Sequence, residues 1–344
     1  MKNRILVSFA AIIMAGLLCA CSASANGSAA KNDRLSVVTT IFPEYDWVMN
    51  ILGEKAADAD VTMLLDSGVD LHSFQPTAED ILKISSCDVF IYVGGESDGW
   101  VDDALAGATN KDMIVINLLD ELGDSVYEEE IVEGMQEEDE HEHEHEEGED
   151  AGHEEGEEHE HEEEEAEYDE HVWLSLRNAK VLTESISEAL QKADAANEEV
   201  YQKNAAAYIE KLEALDQEYA NVVSSSPCST LLFGDRFPFR YLTEDYGLTY
   251  YAAFVGCSAE TEASFETITF LVNKVDELGL HSVMTIEGAD HKIAEAIVSN
   301  SASKDQQILT MDSMQATTAK DVESGVTYLS VMEDNLAVLG QALK

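Results

Sequence analysis

Potential metal ligands follow several predicted strands, at the points where the strands end. His72 lies in a short loop between a strand ending at Leu65 and a helix opened by Thr77. Glu287 directly follows the apolar run SVMTI, and Asp312 directly follows QQILTM. Ligands of open α/β sheets bind beyond the carboxyl ends of the strands, where loops from neighbouring units converge. These three side chains are therefore candidates for one binding site.

A second histidine is expected to have a fixed position. His171 stands where a long acidic stretch stops and the ordered, apolar sequence VWLSL begins. Two imidazoles with one or two carboxylates suit four- or five-coordinate Zn²⁺ or Mn²⁺. We therefore predict a metal site whose candidate ligands, two from each half of the chain, are His72, His171, Glu287 and Asp312.

The acidic stretch itself, from about residue 127 to residue 170, combines many carboxylates with histidine. Its like charge and its scarcity of apolar residues predict a disordered loop. Neutral imidazoles can donate to Zn²⁺ while glutamates attract the cation, so we expect weak binding of several ions. Because protonated histidine does not bind metal, binding should weaken below about pH 6.5. The loop histidines are His141, His143, His145, His153, His159 and His161.

The charge of the whole chain restricts its partners. Asp and Glu number 71 against 19 Lys and Arg, and the formal net charge is −52. Phosphate binding requires a cationic face, so a nucleic-acid partner is excluded, whereas cations are attracted. The sequence has no H-E-x-x-H motif on a predicted helix, no nucleophile elbow and no triad-like arrangement. We therefore do not expect an enzyme.

The first twenty residues have the pattern of an export signal. Lys2 and Arg4 form a basic start, and an apolar run extends from Ile5 to Leu18. The run ends in Leu-Cys-Ala-Cys, which resembles a bacterial lipobox, so we expect Cys21 to be lipidated after removal of residues 1–20. The small, polar residues 21–34 suit a flexible tether. These features predict a lipoprotein that faces outward from the cell membrane or into a periplasm.

Short apolar strands alternate with amphipathic helices on both sides of the acidic loop, which predicts parallel sheets covered by helices. Residues 35–344 are more than one hydrophobic core usually organises, so we expect two α/β lobes, at 35–195 and 225–344. The predicted strands are 35–41, 60–65, 88–93, 113–117, 230–233, 249–254, 282–286 and 307–311. The predicted helices of the lobes are 44–52, 78–84, 265–278, 292–299 and 326–343.

A long helix is predicted between the lobes, at about residues 196–224. One apolar stripe recurs there at steps of three and four residues. At 1.5 Å per residue, this helix would be on the order of 40 Å long, enough to form a stiff spine for both lobes. The stripe consists of Tyr201, Ala205, Tyr208, Leu212, Leu215, Tyr219 and Val222.

The cysteines allow a disulfide but not a cysteine-built zinc site. No C-x-x-C spacing occurs in the chain. Cys228 and Cys257 both lie near segment ends in the second half, and export permits oxidation. These two residues are the candidate disulfide pair.

At the candidate ligands, the sequence resembles the metal-specific solute-binding lipoproteins of ABC importers, the zinc- and manganese-uptake family. The matching stretches are VVTTIFPEYDWV, LLDSGVDLHSFQPTAEDI, DVFIYVGGESDGW, DEHVWLSLRNA, the long helix, YGL at 246–248 and LTMDS at 309–313. The resemblance implies two α/β lobes joined by a rigid helix, with the metal held in the cleft between them. It also implies a permease in the membrane as the partner.

The resemblance assigns roles by position. His72 and His171 match the two family histidines, and Asp312 matches the aspartate that closes the site in many members. The family's third ligand, a histidine or glutamate, should fall in FGDRFPFRYL, which contains neither. Gly234, Asp235 or Arg236 stands there instead, and Asp235 is the more plausible ligand because an arginine would repel the cation. Glu287, a water molecule or a loop histidine could also fill the position.

The identity of the metal and the biological role each have an alternative interpretation. A His-rich acidic loop before the second histidine is typical of the zinc-importing branch and favours Zn²⁺. Oxygen ligands such as Asp312 suit Mn²⁺, so a manganese importer component is the near alternative. A metal-dependent surface adhesin or sensor is the other. We expect a monomer that captures Zn²⁺ outside the cell and delivers it to an ABC-type permease.

Overall fold

Two parallel sheets form the framework of the protein. The computed structural model describes residues 34–136, 167–258, 262–288 and 290–344. The strand order is β2-β1-β3-β4 in the first sheet and β6-β5-β7-β8 in the second, and every pairing is parallel. The strands are β1 (Leu35–Thr39), β2 (Ala59–Met63), β3 (Val89–Tyr92), β4 (Ile114–Asn117), β5 (Thr230–Phe237), β6 (Thr249–Val255), β7 (Ser282–Ile286) and β8 (Gln307–Met311). The predicted α/β class with two four-stranded sheets is confirmed.

Helices connect the strands, as parallel pairing requires. Several of the shorter helices were not predicted, and two single 3₁₀ turns, Leu71–Ser73 and Val172–Leu174, lie near the predicted site. Residues Leu35–Lys344 form one compact unit that contains both sheets. The helices are α1 (Phe42–Leu52), α2 (Ala78–Ser86), α3 (Val101–Ala106), α4 (Leu118–Leu122), α5 (Leu176–Ala193), α6 (Glu198–Ser225), α7 (Arg240–Tyr246), α8 (Phe265–Leu278), α9 (Lys292–Asn300), α10 (Ala319–Glu323) and α11 (Tyr328–Ala342).

Helix α6 is the predicted long helix, with 28 residues between the last helix of the first half and the first strand of the second. Six of the seven stripe residues are buried, and Val222 is half-buried. The helix packs on α5, α1 and α11. Two of its tyrosines also donate hydrogen bonds to these neighbours: Tyr208 to Asp46 Oδ2 at 3.2 Å, and Tyr219 to the carbonyl of Met332 at 2.6 Å. One helix therefore contacts elements that flank both sheets.

The turn Val172–Leu174 is held by both halves of the chain. The indole N–H of Trp173 donates to the carbonyl of Ser313, which follows β8, at 2.8 Å. In return the hydroxyl of Tyr328, at the start of α11, donates to the carbonyl of Trp173 at 2.7 Å. Both side chains are fully buried, so bulk water does not compete for these hydrogen bonds. The backbone next to His171 is consequently fixed against the second sheet.

Strand β5 runs past its predicted end at residue 233. Its register against β6 shifts between Phe233 and Arg236, which marks a bulge. A side chain at Gly234 would come within 2.7 Å of the Cα atom of Ala294, so the close approach of α9 requires glycine there. Asp235 lies within this bulge, and the pairing with β6 resumes at Arg236.

The proposed pairing of Cys228 with Cys257 is wrong in this structure, where both are free thiols. Cys228 precedes β5 and Cys257 follows β6. Because the two strands are parallel neighbours, the cysteines lie at opposite ends of the sheet. Strands of seven or eight residues separate them by roughly 20 Å at about 3.3 Å per residue, far beyond the reach of a disulfide.

The disordered loop predicted for about 127–170 is too long, because residues 127–136 and 167–170 are ordered and backbone hydrogen bonds join them, from Glu129 to Glu167 and from Asp169 to Tyr127. Several expectations lie outside the described residues: the signal 1–20, lipidation of Cys21, most of the tether, and the disorder and metal binding of the loop that carries the six histidines. They stay predictions, as do the boundaries assigned to the two lobes. Within the ranges that the structure describes, no helix is both long and apolar enough to cross a membrane.

The packing of α6 leads to a test of the spine. Leu212 is fully buried in the main core, so Leu212→Ala should lower the free energy of unfolding by about 2–5 kcal/mol. The exposed Glu218 of the same helix is the control, and Glu218→Ala should change stability by less than about 0.5 kcal/mol. Urea denaturation followed by circular dichroism measures both. Equal effects of the two substitutions would contradict the placement of the stripe.

Candidate metal centre

The first imidazole is presented by the turn that follows β2. Asp70 caps this turn by accepting a hydrogen bond from the backbone N–H of His72 at 3.1 Å. The Nδ1 atom of His72 lies 2.8 Å from the hydroxyl of Ser97 and 3.4 Å from Glu170 Oε2. Only about a tenth of the side chain is exposed, at 11%. With Nδ1 engaged on this side, the Nε2 atom is left to face the opposite way.

The second imidazole is fully buried. The carboxylate of Asp169 accepts two hydrogen bonds through Oδ1, from the backbone N–H of His171 and from its Nδ1, both at 2.9 Å. The carbonyl of Asp169 is itself held by the hydroxyl of Tyr241 at 2.8 Å. A carboxylate on Nδ1 fixes the tautomer of a metal-binding histidine and leaves the lone pair on Nε2.

The two Nε2 atoms meet at a distance of 3.3 Å, with ring centroids 5.2 Å apart. Bonds of 2.0–2.1 Å to a tetrahedral Zn²⁺ place two ligand nitrogens about 3.3 Å apart, the edge length of the tetrahedron. Both Nδ1 atoms have neighbouring carboxylates, so both Nε2 lone pairs converge on the same point. The arrangement of His72 and His171 therefore has the geometry of a shared metal ligand pair.

A cysteine completes this group. The ligand atoms of His72, His171 and Cys257 all lie within 4.8 Å of one another. Cys257 follows the end of β6, one residue after Gly256, and its backbone N–H donates to Glu129 Oε1 at 3.1 Å. A side chain at Gly256 would come within 3.0 Å of the His171 ring, so glycine permits this approach. Burial, with the carboxylates of Glu129, Asp169 and Glu170, raises the pKa of the Cys257 thiol.

The approach to the group is strongly acidic. A cavity of about 240 Å³ opens beside His72 and Cys257. Glutamates dominate its wall, so the cavity attracts cations and disfavours anions. Its remaining lining residues are Glu96, Ser97, Glu129, Glu167, Tyr168 and Glu170.

A row of buried carboxyl groups continues behind the site. Burial raises the pKa of Glu170, but hydrogen bonds from His72 and Ser97 outweigh it, and the net pKa of Glu170 is lowered. Burial raises the pKa of Asp98 to about 7, with a further contribution from the charge of Glu170. Burial, and then the charge of Asp98, raises the pKa of Glu44 to about 8. The lowered pKa of Glu170 thus favours a negative charge next to the imidazole pair, whereas the raised pKa values of Asp98 and Glu44 favour neutral carboxyl groups deeper in the protein.

Three comparisons place this geometry among known proteins. Residues 37–342 match the family described as "Zinc-uptake complex component A periplasmic". The chain belongs to this family. The match covers both sheets, the long helix and all three residues of the candidate group.

Curated relatives and a solved structure agree with this membership. The high-affinity zinc uptake system protein ZnuA of Bacillus subtilis is 30% identical over 95% of this chain and 94% of its own length. The zinc-binding lipoprotein AdcA of Streptococcus pneumoniae is 30% identical over 90% of this chain. The chain spans about half the length of the AdcA relatives it matches, 56% in this case. The Zn(II)-bound ZnuA-like domain of that AdcA superposes with a TM-score of 0.66 at 27% identity, covering 90% of this chain and 99% of the domain.

The predicted carboxylate ligands are not in the group that contains the histidines. Glu287 accepts hydrogen bonds from the backbone and hydroxyl of Ser313, both at 2.6 Å. Asp312 accepts one from the backbone N–H of Met314 at 2.7 Å, and Asp235 one from that of Ile286 at 3.2 Å. Each of these carboxylates therefore organises a loop or strand end of the second sheet. Their role as ligands stays a prediction.

Arg236 occupies part of the stretch in which the family's third ligand was expected. Its guanidinium forms an ion pair with Asp70, the residue that caps the turn of His72. The resemblance to the family placed the third ligand in this stretch of β5. In the structure the stretch instead supplies a cation that neutralises a carboxylate next to the site. The third candidate ligand comes from the neighbouring strand, β6.

Sequence reasoning overlooked Cys257 because it was assigned to a disulfide. The available signal was its position, since Cys257 lies three residues after a predicted strand, close to the kind of strand-end position that Glu287 and Asp312 occupy. The run DEH at 169–171 was a second signal. Its two carboxylates lie beside the two imidazoles, Asp169 beside His171 and Glu170 beside His72.

The buried carboxyl group of Glu44 predicts a pH dependence of stability. Its pKa is raised from 4.5 to about 8 in the folded protein, so the folded state keeps a proton that the unfolded chain releases. The free energy of unfolding should therefore fall as pH rises from about 4.5 to about 8. Glu44→Gln keeps an oxygen for the N–H groups of Thr40 and Ile41 and removes the ionisable group.

We expect Glu44→Gln to have a shallower slope of stability against pH and to be more stable than the native protein above about pH 8. Urea denaturation at a series of pH values measures this. The exposed Glu54 is the control, and Glu54→Gln should keep the native slope. An unchanged slope in Glu44→Gln would show that this group does not cause the dependence.

Proposed function

We propose that the protein captures Zn²⁺ outside the cytoplasmic membrane and delivers it to an ABC-type permease. The observation that supports this most directly is the 3.3 Å distance between the Nε2 atoms of His72 and His171. Membership of the zinc-uptake family and the zinc-named relatives support the choice of cargo. In this proposal the ion is carried and released, so the site binds without catalysing a reaction.

The acidic cavity suits the capture step. Glutamates around its opening raise the local concentration of divalent cations before they reach the imidazoles. The predicted lipid anchor at Cys21 would keep the protein near the permease. Several hydrogen bonds hold the elements around the site together, among them those of Trp173 and Tyr328. We therefore expect release to involve a small movement of the ligand loops and not a wide opening.

The two histidines provide the main test. His72→Ala combined with His171→Ala should weaken the tightest Zn²⁺ binding event by more than about 100-fold, because ligands contribute more than their supporting residues. Competition against a strong chromophoric chelator isolates this event from weaker sites elsewhere in the full chain. His281, an exposed histidine at the start of β7, is the matched control, and His281→Ala should bind as the native protein does. Native affinity in the double variant would disprove the site.

The carboxylate behind His171 provides a second test. Asp169→Ala removes the acceptor of two N–H groups and should weaken Zn²⁺ binding about 10–100-fold. Asp169→Asn keeps an oxygen but loses the charge, so its effect should be smaller. Asp112→Asn changes an exposed carboxylate by the same charge and serves as the control. The same chelator competition measures the Zn²⁺ affinity of the three variants. An equal loss of affinity in Asp112→Asn and Asp169→Asn would show that the effect comes from net charge and not from the contact with His171.

A further inference from the structure

We propose that Cys257 is a metal ligand and that the site binds Zn²⁺ through two imidazoles and one thiolate. This inference rests on the proposed function and specifies the donor set of the same site. Its basis is the group in which one ring nitrogen of His72, one ring nitrogen of His171 and Sγ of Cys257 lie within 4.8 Å of one another, with the two Nε2 atoms 3.3 Å apart. Among the described residues, no other group of three or more potential ligands meets this distance.

The position of Cys257 in the fold suits this role. It lies at the carboxyl end of β6, where a loop of the second sheet reaches the histidines of the first half. Its backbone N–H is anchored by Glu129, and Gly256 removes the side chain that would otherwise separate this loop from His171. The loop is therefore built to bring residue 257 next to the imidazole pair.

The surrounding residues leave the third position to Cys257. Arg236 is turned to Asp70, and Asp235 bonds to backbone N–H groups. Glu287 is held by Ser313, Asp312 accepts from the backbone N–H of Met314, and neither carboxylate is in the group with the histidines. Cys228 lies at the opposite end of the sheet, so it does not consume the thiol in a disulfide. The donors that converge are two nitrogens and one sulfur.

Binding requires a simple exchange. The S–H bond of Cys257 breaks as the zinc–sulfur bond forms, the electron pair stays on sulfur, and the proton leaves to water. A divalent cation drives this step because a coordinating thiol is deprotonated by the metal. Expected bond lengths are about 2.3 Å to sulfur and about 2.0–2.1 Å to each nitrogen. Thiolate and imidazole ligands favour Zn²⁺, whereas Mn²⁺ prefers oxygen, so this donor set selects against Mn²⁺.

Cobalt(II) substitution tests the sulfur ligand in the full chain. Co²⁺ bound to a thiolate absorbs in the near ultraviolet through sulfur-to-metal charge transfer, whereas Co²⁺ bound to imidazole and carboxylate does not. We expect this band in the native protein and its loss in Cys257→Ser. The control is Cys228→Ser, another half-buried cysteine, which should keep the band. Zn²⁺ affinity of Cys257→Ser should fall at least about tenfold, while Mn²⁺ affinity should change less.

The outcomes separate this inference from the proposed function. Tight Zn²⁺ binding that depends on His72 and His171, without a sulfur band and with native affinity in Cys257→Ser, would overturn the thiolate ligand and leave zinc capture intact. Absence of tight binding in the native chain would overturn both. If the serine variant folds poorly, absence of the sulfur band from the native protein would still overturn the thiolate ligand, and a band kept in Cys228→Ser would exclude the other half-buried thiol.

Discussion

The convergence of two imidazole nitrogens is the constraint on which the rest of the site depends. Two Nε2 atoms at 3.3 Å need a shared proton or a cation between them. The protein fixes this arrangement from behind, because Asp169 and Glu170, adjacent in sequence, lie beside the Nδ1 atoms of His171 and His72. A single backbone segment thereby orients ligands that are 99 residues apart. The negative charge of this segment would also stabilise a cation bound at the two imidazoles.

Packing around residues 169–174 holds the two halves of the chain in one relative position. Trp173 and Tyr328 join the turn next to His171 to the second sheet through buried hydrogen bonds, and α6 contacts helices that flank both sheets. Buried hydrogen bonds of this kind specify one arrangement, since breaking them leaves polar groups without partners. The site is therefore positioned by tertiary contacts of the second half as much as by the loops that carry the histidines.

Periodicity and strand-end logic were sufficient for the sheets, the long helix and the two histidines, because these depend on local patterns. The carboxylates at 235, 287 and 312 also follow the strand-end pattern, yet the structure uses them to bind backbone N–H groups. Sequence cannot distinguish these uses, since both need an acceptor at the end of a strand. The bulge in β5 and the ion pair of Arg236 with Asp70 were equally hidden from the sequence. Cys257 was misassigned because the order of strands, which separates it from Cys228, is a tertiary property.

The difference between carboxylate and thiolate has consequences for selectivity. A site with two imidazoles and two carboxylates would accept Mn²⁺ and Zn²⁺ alike, and selection would depend on geometry. With the carboxylates bound to backbone and the proposed thiolate in their place, the donors themselves would discriminate against Mn²⁺. The ion pair of Arg236 and Asp70 fits this scheme, because it neutralises a carboxylate next to His72. An arginine that would repel the cation as a ligand replacement is therefore compatible with the site, because its charge is balanced by Asp70.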